Sequence, residues 1–239
     1  MSDSRADEAN WTAWTVLAAA YDAFRDNYIP LVATTLVWLL PAIGLDPLGV
    51  HFAVVLAVEF LIASFLLIAL APGAAESLLD HPVRLGECLS LSLTRLRPAA
   101  LAVATIQLAA VGVGFALLVL PGLYLMSVWS VAGAALIPEG GRPMAAFRRS
   151  LQLTRGRVLR IMLTMVLYIF IVVVLSAGFR ILLAALPGID ASWIRLTVWL
   201  VDAMFIALSA CLTTVIYCLL RYDKDGTTLE LVAASLHPD

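Results

Sequence analysis

Thirteen of the 15 Lys and Arg residues fall in four segments: 1–30, 71–98, 138–160 and 221–239. The exceptions are Arg180 and Arg195. Long apolar stretches separate these segments, and every second connection is almost free of basic charge. Few folds tolerate this pattern. In hydrocarbon each backbone N–H and C=O must be bonded within its own segment, which leaves helices for a chain with runs of this length. Basic residues then stay on the cytoplasmic side. Composition agrees: 62% of residues are hydrophobic, 13% are charged, and mean hydropathy is +0.98. A soluble domain carries about 45–50% apolar and about 25% charged residues. Net charge is −2, so no basic face for nucleic acid is expected.

A spanning helix needs about 20 mostly apolar residues. Six segments qualify: Ile29–Leu48, Val50–Leu70, Ala99–Leu120, Leu123–Leu136, Val158–Leu186 and Trp193–Leu220. The fourth is short, and the last two are long enough to tilt. The basic segments precede the first, third and fifth spans and follow the sixth, so both termini are expected in the cytoplasm. Met1–Asn10 is polar and acidic, unlike a signal peptide, and the first span is expected to be retained. Trp38, Trp193 and Trp199 fall toward the outer side, and Trp11 and Trp14 at the inner boundary, as interfacial anchors. Cys88, Cys211 and Cys218 form no CxxC and read as small hydrophobes. Fourteen Arg against one Lys, with abundant Ala, point to a bacterial source.

Three cytoplasmic segments look alike: Trp14–Pro30 around Arg25, Arg84–Pro98 around Arg95 and Arg97, and Met144–Val158 around Arg155 and Arg157. The last two share Ser-Leu-x-Leu-Thr-Arg-x-Arg. Each predicts about three turns of amphipathic helix, able to lie in the interface with Arg reaching lipid phosphates. Leu40-Pro41, Leu120-Pro121 and Leu186-Pro187 predict three outer turns. The expected fold is therefore all-α. Six transmembrane helices are arranged as three repeats of interfacial helix plus helical hairpin, over about 12–70, 82–136 and 144–220. A cytoplasmic tail, 221–239, follows within a single membrane domain.

The stretch Pro121–Arg160 is the most specific. Pro121, Gly122, Tyr124, Trp129, Glu139, Gly140, Ala146, Ser150, Leu153, Thr154 and Gly156 carry it. On these residues the chain resembles the bacterial membrane domain attached to some glycerophosphoryl diester phosphodiesterases, and that domain's stand-alone relatives. The resemblance implies a multi-pass protein of the bacterial inner membrane. It does not bring the phosphodiesterase, whose separate soluble barrel cannot fit in the 19 residues after Leu220.

Polar residues inside the spans are costly and therefore informative. Glu59 and Asp202 fall within the second and sixth spans, where a charge costs about 2.5–3.5 kcal/mol on insertion scales. They are expected to face the bundle, be protonated or find a partner, with Arg180 and Arg195 as cations and Gln107 as a polar neighbour. Arg148, Arg149, Arg155, Arg157 and Arg160 form the densest basic cluster, suited to anionic headgroups or to a membrane or cytoplasmic protein partner. Glu139 is placed to pair with it. No HExxH, GxSxG or Walker lysine occurs, so no metal, cofactor or catalytic site is expected. The leading reading is a non-enzymatic, lipid-interacting or scaffolding module. The alternative is a small transporter or channel using Glu59 and Asp202.

Overall fold

The computed structural model describes residues 11–45, 52–79, 81–94, 98–185 and 190–236, and among them every regular element is helical. In chain order these are α1 (Ala13–Asp26), α2 (Tyr28–Leu45), α3 (Phe52–Ala69), α4 (Ala71–Ser77), α5 (Leu85–Thr94), α6 (Pro98–Leu117), α7 (Val119–Trp129), α8 (Ala132–Ala135), α9 (Pro143–Thr154), α10 (Val158–Ala185), α11 (Ala191–Asp225) and α12 (Leu229–Leu236). Local chemistry sets many of the boundaries. Thr12 and Thr15 form a reciprocal capping box at the start of α1, satisfying two N–H groups that would otherwise lack a partner. Pro98 and Pro143 open α6 and α9, where the missing N–H costs nothing. Gly226, with φ +65°, closes α11 through its N–H to the Tyr222 carbonyl.

Among the described residues three helices are long and apolar enough to cross a membrane: Pro98–Phe115, Val158–Leu183 and Trp193–Asp225. Ala57–Ala69 and Ala71–Ser77 make a fourth if the pair, bent by 48°, is one span. Pro72 in the first turn of α4 explains the bend, since it offers no N–H and its ring crowds the Ile68 carbonyl. Tyr28–Leu40 and Val119–Ala135 are apolar but shorter.

Helix α11 is the central pillar. It packs against α1, α2, α3, α4 and α10. Ala203, Ala207, Ala210, Cys211 and Thr214 are fully enclosed along it, and small side chains at this spacing let neighbouring backbones approach closely. Helices α6 and α7 form a hairpin joined by Leu118 alone. A Cβ on Gly114 would lie 2.9 Å from the Gly122 Cα, so the two backbones touch where both residues lack side chains.

Several sequence expectations are corrected. Pro41 does not make a turn: α2 runs through it to Leu45, as membrane helices permit when neighbours absorb the lost bond. Pro121 and Gly122 lie in the first turn of α7 and the chain reverses at Leu118; Leu186-Pro187 lies outside the described residues, as do Arg95 and Arg97. Helix α5 packs against α2. Val83 N–H donates to Asn27 Oδ1 at 2.8 Å beside the start of α2, and Trp38 Nε1 donates to Ser92 Oγ at 2.9 Å, deep along it. The helix therefore runs alongside α2, and its Cys88 is buried, with the thiol pKa pushed up to about 11 by that burial and, less, by Glu87. Trp38 is a packing residue, its ring centroid 4.9 Å from that of Phe65, and Trp11 is buried in the core. The expected tail is ordered too: 221–225 continue α11, and Val232, Ala233 and Leu236 of α12 are buried against α4 and α11.

Candidate functional site

The motif region 121–160 is built around an interrupted helix. Between α7 and α8 the carbonyls of Val128 and Trp129 turn to side chains. Ser150 Oγ, from α9, donates to the Val128 carbonyl at 2.6 Å. Gln107 Nε2, from α6, donates to the Trp129 carbonyl at 2.7 Å. Both acceptors are thus satisfied in a low-dielectric setting where an unmet one is expensive. The Trp129 ring packs on Phe147, centroids 4.8 Å apart. Gly140, φ +65°, shapes the following turn, and Gly156, φ +86°, makes the elbow from α9 into α10, a conformation only glycine adopts cheaply. Ser150, Gln107, Trp129, Gly122, Gly140 and Gly156 are thus engaged in holding the fold.

The basic cluster divides into two sets. Arg157 makes a two-pronged contact with Asp223, Nη2 to Oδ1 at 3.0 Å and Nε to Oδ2 at 3.2 Å. Arg149 pairs with Asp225 and, at 3.8 Å, with Glu139. Arg221 Nε lies 2.8 Å from Asp225, and its Nη1 donates to the Tyr217 hydroxyl at 3.0 Å. These groups are largely screened from solvent and lock α9 and the start of α10 to the end of α11. Sequence reasoning missed Arg221, Asp223 and Asp225. The fall in hydropathy after Leu220 marked a tail, and the arginines that pair with Asp223 and Asp225 across the fold lie 66 and 76 residues away. The second set is exposed: Arg148 and Arg142 line an open groove of about 400 Å³ with Glu139 and Gln152. Arg155 lines an adjoining groove of about 450 Å³ with Tyr124, Leu151, Gln152 and Gly156. Arg160 is half-buried at the start of α10. Arg25 is exposed and bonds locally, to Asp22 at 3.9 Å and Asp26 at 3.3 Å.

On α11, Asp202 takes its partner from α10: Arg180 Nη2 lies 3.3 Å from its carboxylate. The pair is partly exposed on the side of the molecule, not enclosed among helices. Glu59 is half-buried on α3, beside Phe60. Phe60 and Gln107 line a half-open cavity of about 290 Å³ walled by α3, α6, α7, α10 and α11. Asn27, not singled out from sequence, is a further buried hub. Its amide donates to Ser77 Oγ at 2.8 Å and to the His81 carbonyl at 3.2 Å. Among the described residues no group of three or more His, Cys, Asp or Glu is arranged to hold a metal ion.

With only helices as regular elements among the described residues, three of them long and apolar enough to cross a bilayer, the chain falls in the class of membrane proteins. No family model, curated protein or solved structure matches it.

Proposed function

We propose that this is a non-enzymatic module of the bacterial inner membrane that binds anionic lipid at its cytoplasmic surface, with six spans and both termini inside. The observation that carries the reading is the division of the basic cluster. Arg149, Arg157 and Arg221 are neutralised by Asp223 and Asp225. Arg142, Arg148 and Arg155 stand exposed along two grooves that meet at Gln152. Beside these grooves Leu151, Leu159, Leu163 and Tyr124 are exposed as well. Charge next to apolar surface suits a leaflet boundary, where each basic residue contributes about 1 kcal/mol of attraction to anionic lipid.

The threefold repeat and the kinship with phosphodiesterase-linked membrane domains belong to the same proposal. Supporting the repeat is the order short helix, long helix, return helix in α1–α4, α5–α8 and α9–α11, with the return broken in the first two units and continuous in α11. Asn27 and Arg157 occupy the same elbow position two residues after Arg25 and Arg155. Each reaches the end of its own unit's return helix, at Ser77 and Asp223. The transporter reading is weaker, because Arg180 already neutralises Asp202 and no charged group lines the cavity.

The test is binding of the purified protein in neutral nanodiscs to anionic and to zwitterionic vesicles. Preference for anionic vesicles, falling about tenfold or more in Arg148→Ala/Arg155→Ala, is expected. Equal binding to both vesicles, or proton or cation flux in liposomes, contradicts the proposal.

A further inference from the structure

The cavity between α3, α6, α7, α10 and α11 is walled mostly by carbon. Its wall includes Phe60, Leu67, Met126, Trp129, Met165 and Leu212. Of the polar residues that also reach it, all but Ser64 have spent a donor elsewhere. Ser209 Oγ donates to the Ile206 carbonyl at 2.7 Å, and Thr213 Oγ1 to the Ser209 carbonyl at 3.1 Å. Ser130 Oγ donates to the Ser127 carbonyl at 2.9 Å, and Tyr168 OH to the Phe205 carbonyl at 2.5 Å. Gln107 is held by Trp129. A water needs two to four polar partners, and apolar cavities stay dry or take apolar ligands. An ion would lose its hydration with no charged group and few free oxygens to replace it.

The cavity has a side door. Most of its lining is buried or half-buried, but Phe60 of α3 and Ile169 of α10 are exposed, at 44% and 37%. They stand on the flank where α10 presents Val166, Phe170, Val173 and Val174 to the surroundings. In a bilayer that flank faces acyl chains. The volume, about 290 Å³, equals about ten water volumes at about 30 Å³ each, which is room for a stretch of hydrocarbon chain. Asp202 lies seven residues before Ser209, on the same face of α11 and about 10 Å along it. Its partner Arg180 is exposed, so the polar end of an inserted chain has a cation within reach.

We infer that this cavity holds a single acyl chain of a lipid, admitted sideways from the bilayer between Phe60 and Ile169. The inference rests on the lipid-binding reading above only in taking the bilayer as the source of the chain; the two sites are separate.

Trp129 lines the cavity and supplies the probe. The full-length protein is reconstituted into phosphatidylcholine vesicles whose chains carry bromine near their middle. The fluorescence lost is compared between the parent and Trp129→Phe. The parent is expected to lose a component that Trp129→Phe lacks. Ala63→Phe, which fills the cavity from α3, is expected to remove that component and leave quenching of the exposed Trp14 and Trp193 unchanged. Should Ala63→Phe fail to insert, Ser209→Leu fills the cavity from α11 and is read the same way. Native mass spectrometry then separates a phospholipid adduct from a free fatty acid, and either supports an acyl-chain site. An unquenched Trp129 component in the parent, or one that persists in both filled variants, overturns it. Retained quenching together with lost preference for anionic vesicles would remove the surface proposal and leave this one standing.

Discussion

Helices α10 and α11 are neighbours and both strongly apolar, with mean hydropathy 2.8 and 2.2 over their spanning windows. Yet 67% of the α11 window is buried and only 17% of the α10 window. The less hydropathic helix is the core. α11 carries small residues, hydroxyls and Cys at the contact face, which permit close packing, while α10 carries Leu, Val, Ile and Phe around its circumference. In lipid there is little hydrophobic gain in moving Leu from chains to core, so packing geometry, not apolarity, decides which helix is central. Hydropathy thus says that a segment enters the membrane and nothing about where it sits in the bundle.

The contrast makes ordered predictions. Ile216→Ala, on the enclosed face of α11, should destabilise the protein most, by about 2–3 kcal/mol. That is the low end of the aqueous range, because only packing is lost and not transfer from water. Thermal unfolding in detergent micelles reads it. Ser150→Ala should follow, at about 1–2 kcal/mol, since the Val128 carbonyl is left without its donor. Arg157→Ala should cost about 1 kcal/mol, the worth of a two-pronged, mostly screened ion pair, and should ease in Arg157→Ala/Asp223→Asn. Phe170→Ala, exposed on α10, should change stability by less than about 0.5 kcal/mol. Equal losses in Ile216→Ala and Phe170→Ala would erase the distinction between the two helices.

Much of the fold was legible because it follows from local rules. The helical segments Trp14–Pro30 and Met144–Val158 and the long apolar stretches are written in neighbouring residues. The errors came from long-range facts. Pro41 and Pro121 read as turns because proline usually interrupts a helix, yet in α2 the chain continues and in α7 proline falls in a first turn that tolerates it. Nothing near Leu85–Thr94 announces that Ser92 will meet Trp38, 54 residues away. The Arg cluster was visible, but its division into paired and exposed sets depended on Asp223 and Asp225, which arrive at the end of a 35-residue helix. Asp202 was legible as a residue in need of a partner. That the partner would be Arg180, on the side of the bundle, required the packing of α10 on α11.

The account stands on α11 as an enclosed pillar and α10 as a wall facing lipid. Single nitroxide labels placed along both helices in liposomes, read by collision with oxygen and with a water-soluble nickel chelate, test it directly. Labels at Val166, Phe170, Val173 and Val174 should collide readily with oxygen and little with nickel, while labels at Ala203, Ala207 and Ala210 should meet neither. Oxygen access at the α11 alanines equal to that along α10, or nickel access at Phe170 and Val173, would contradict it.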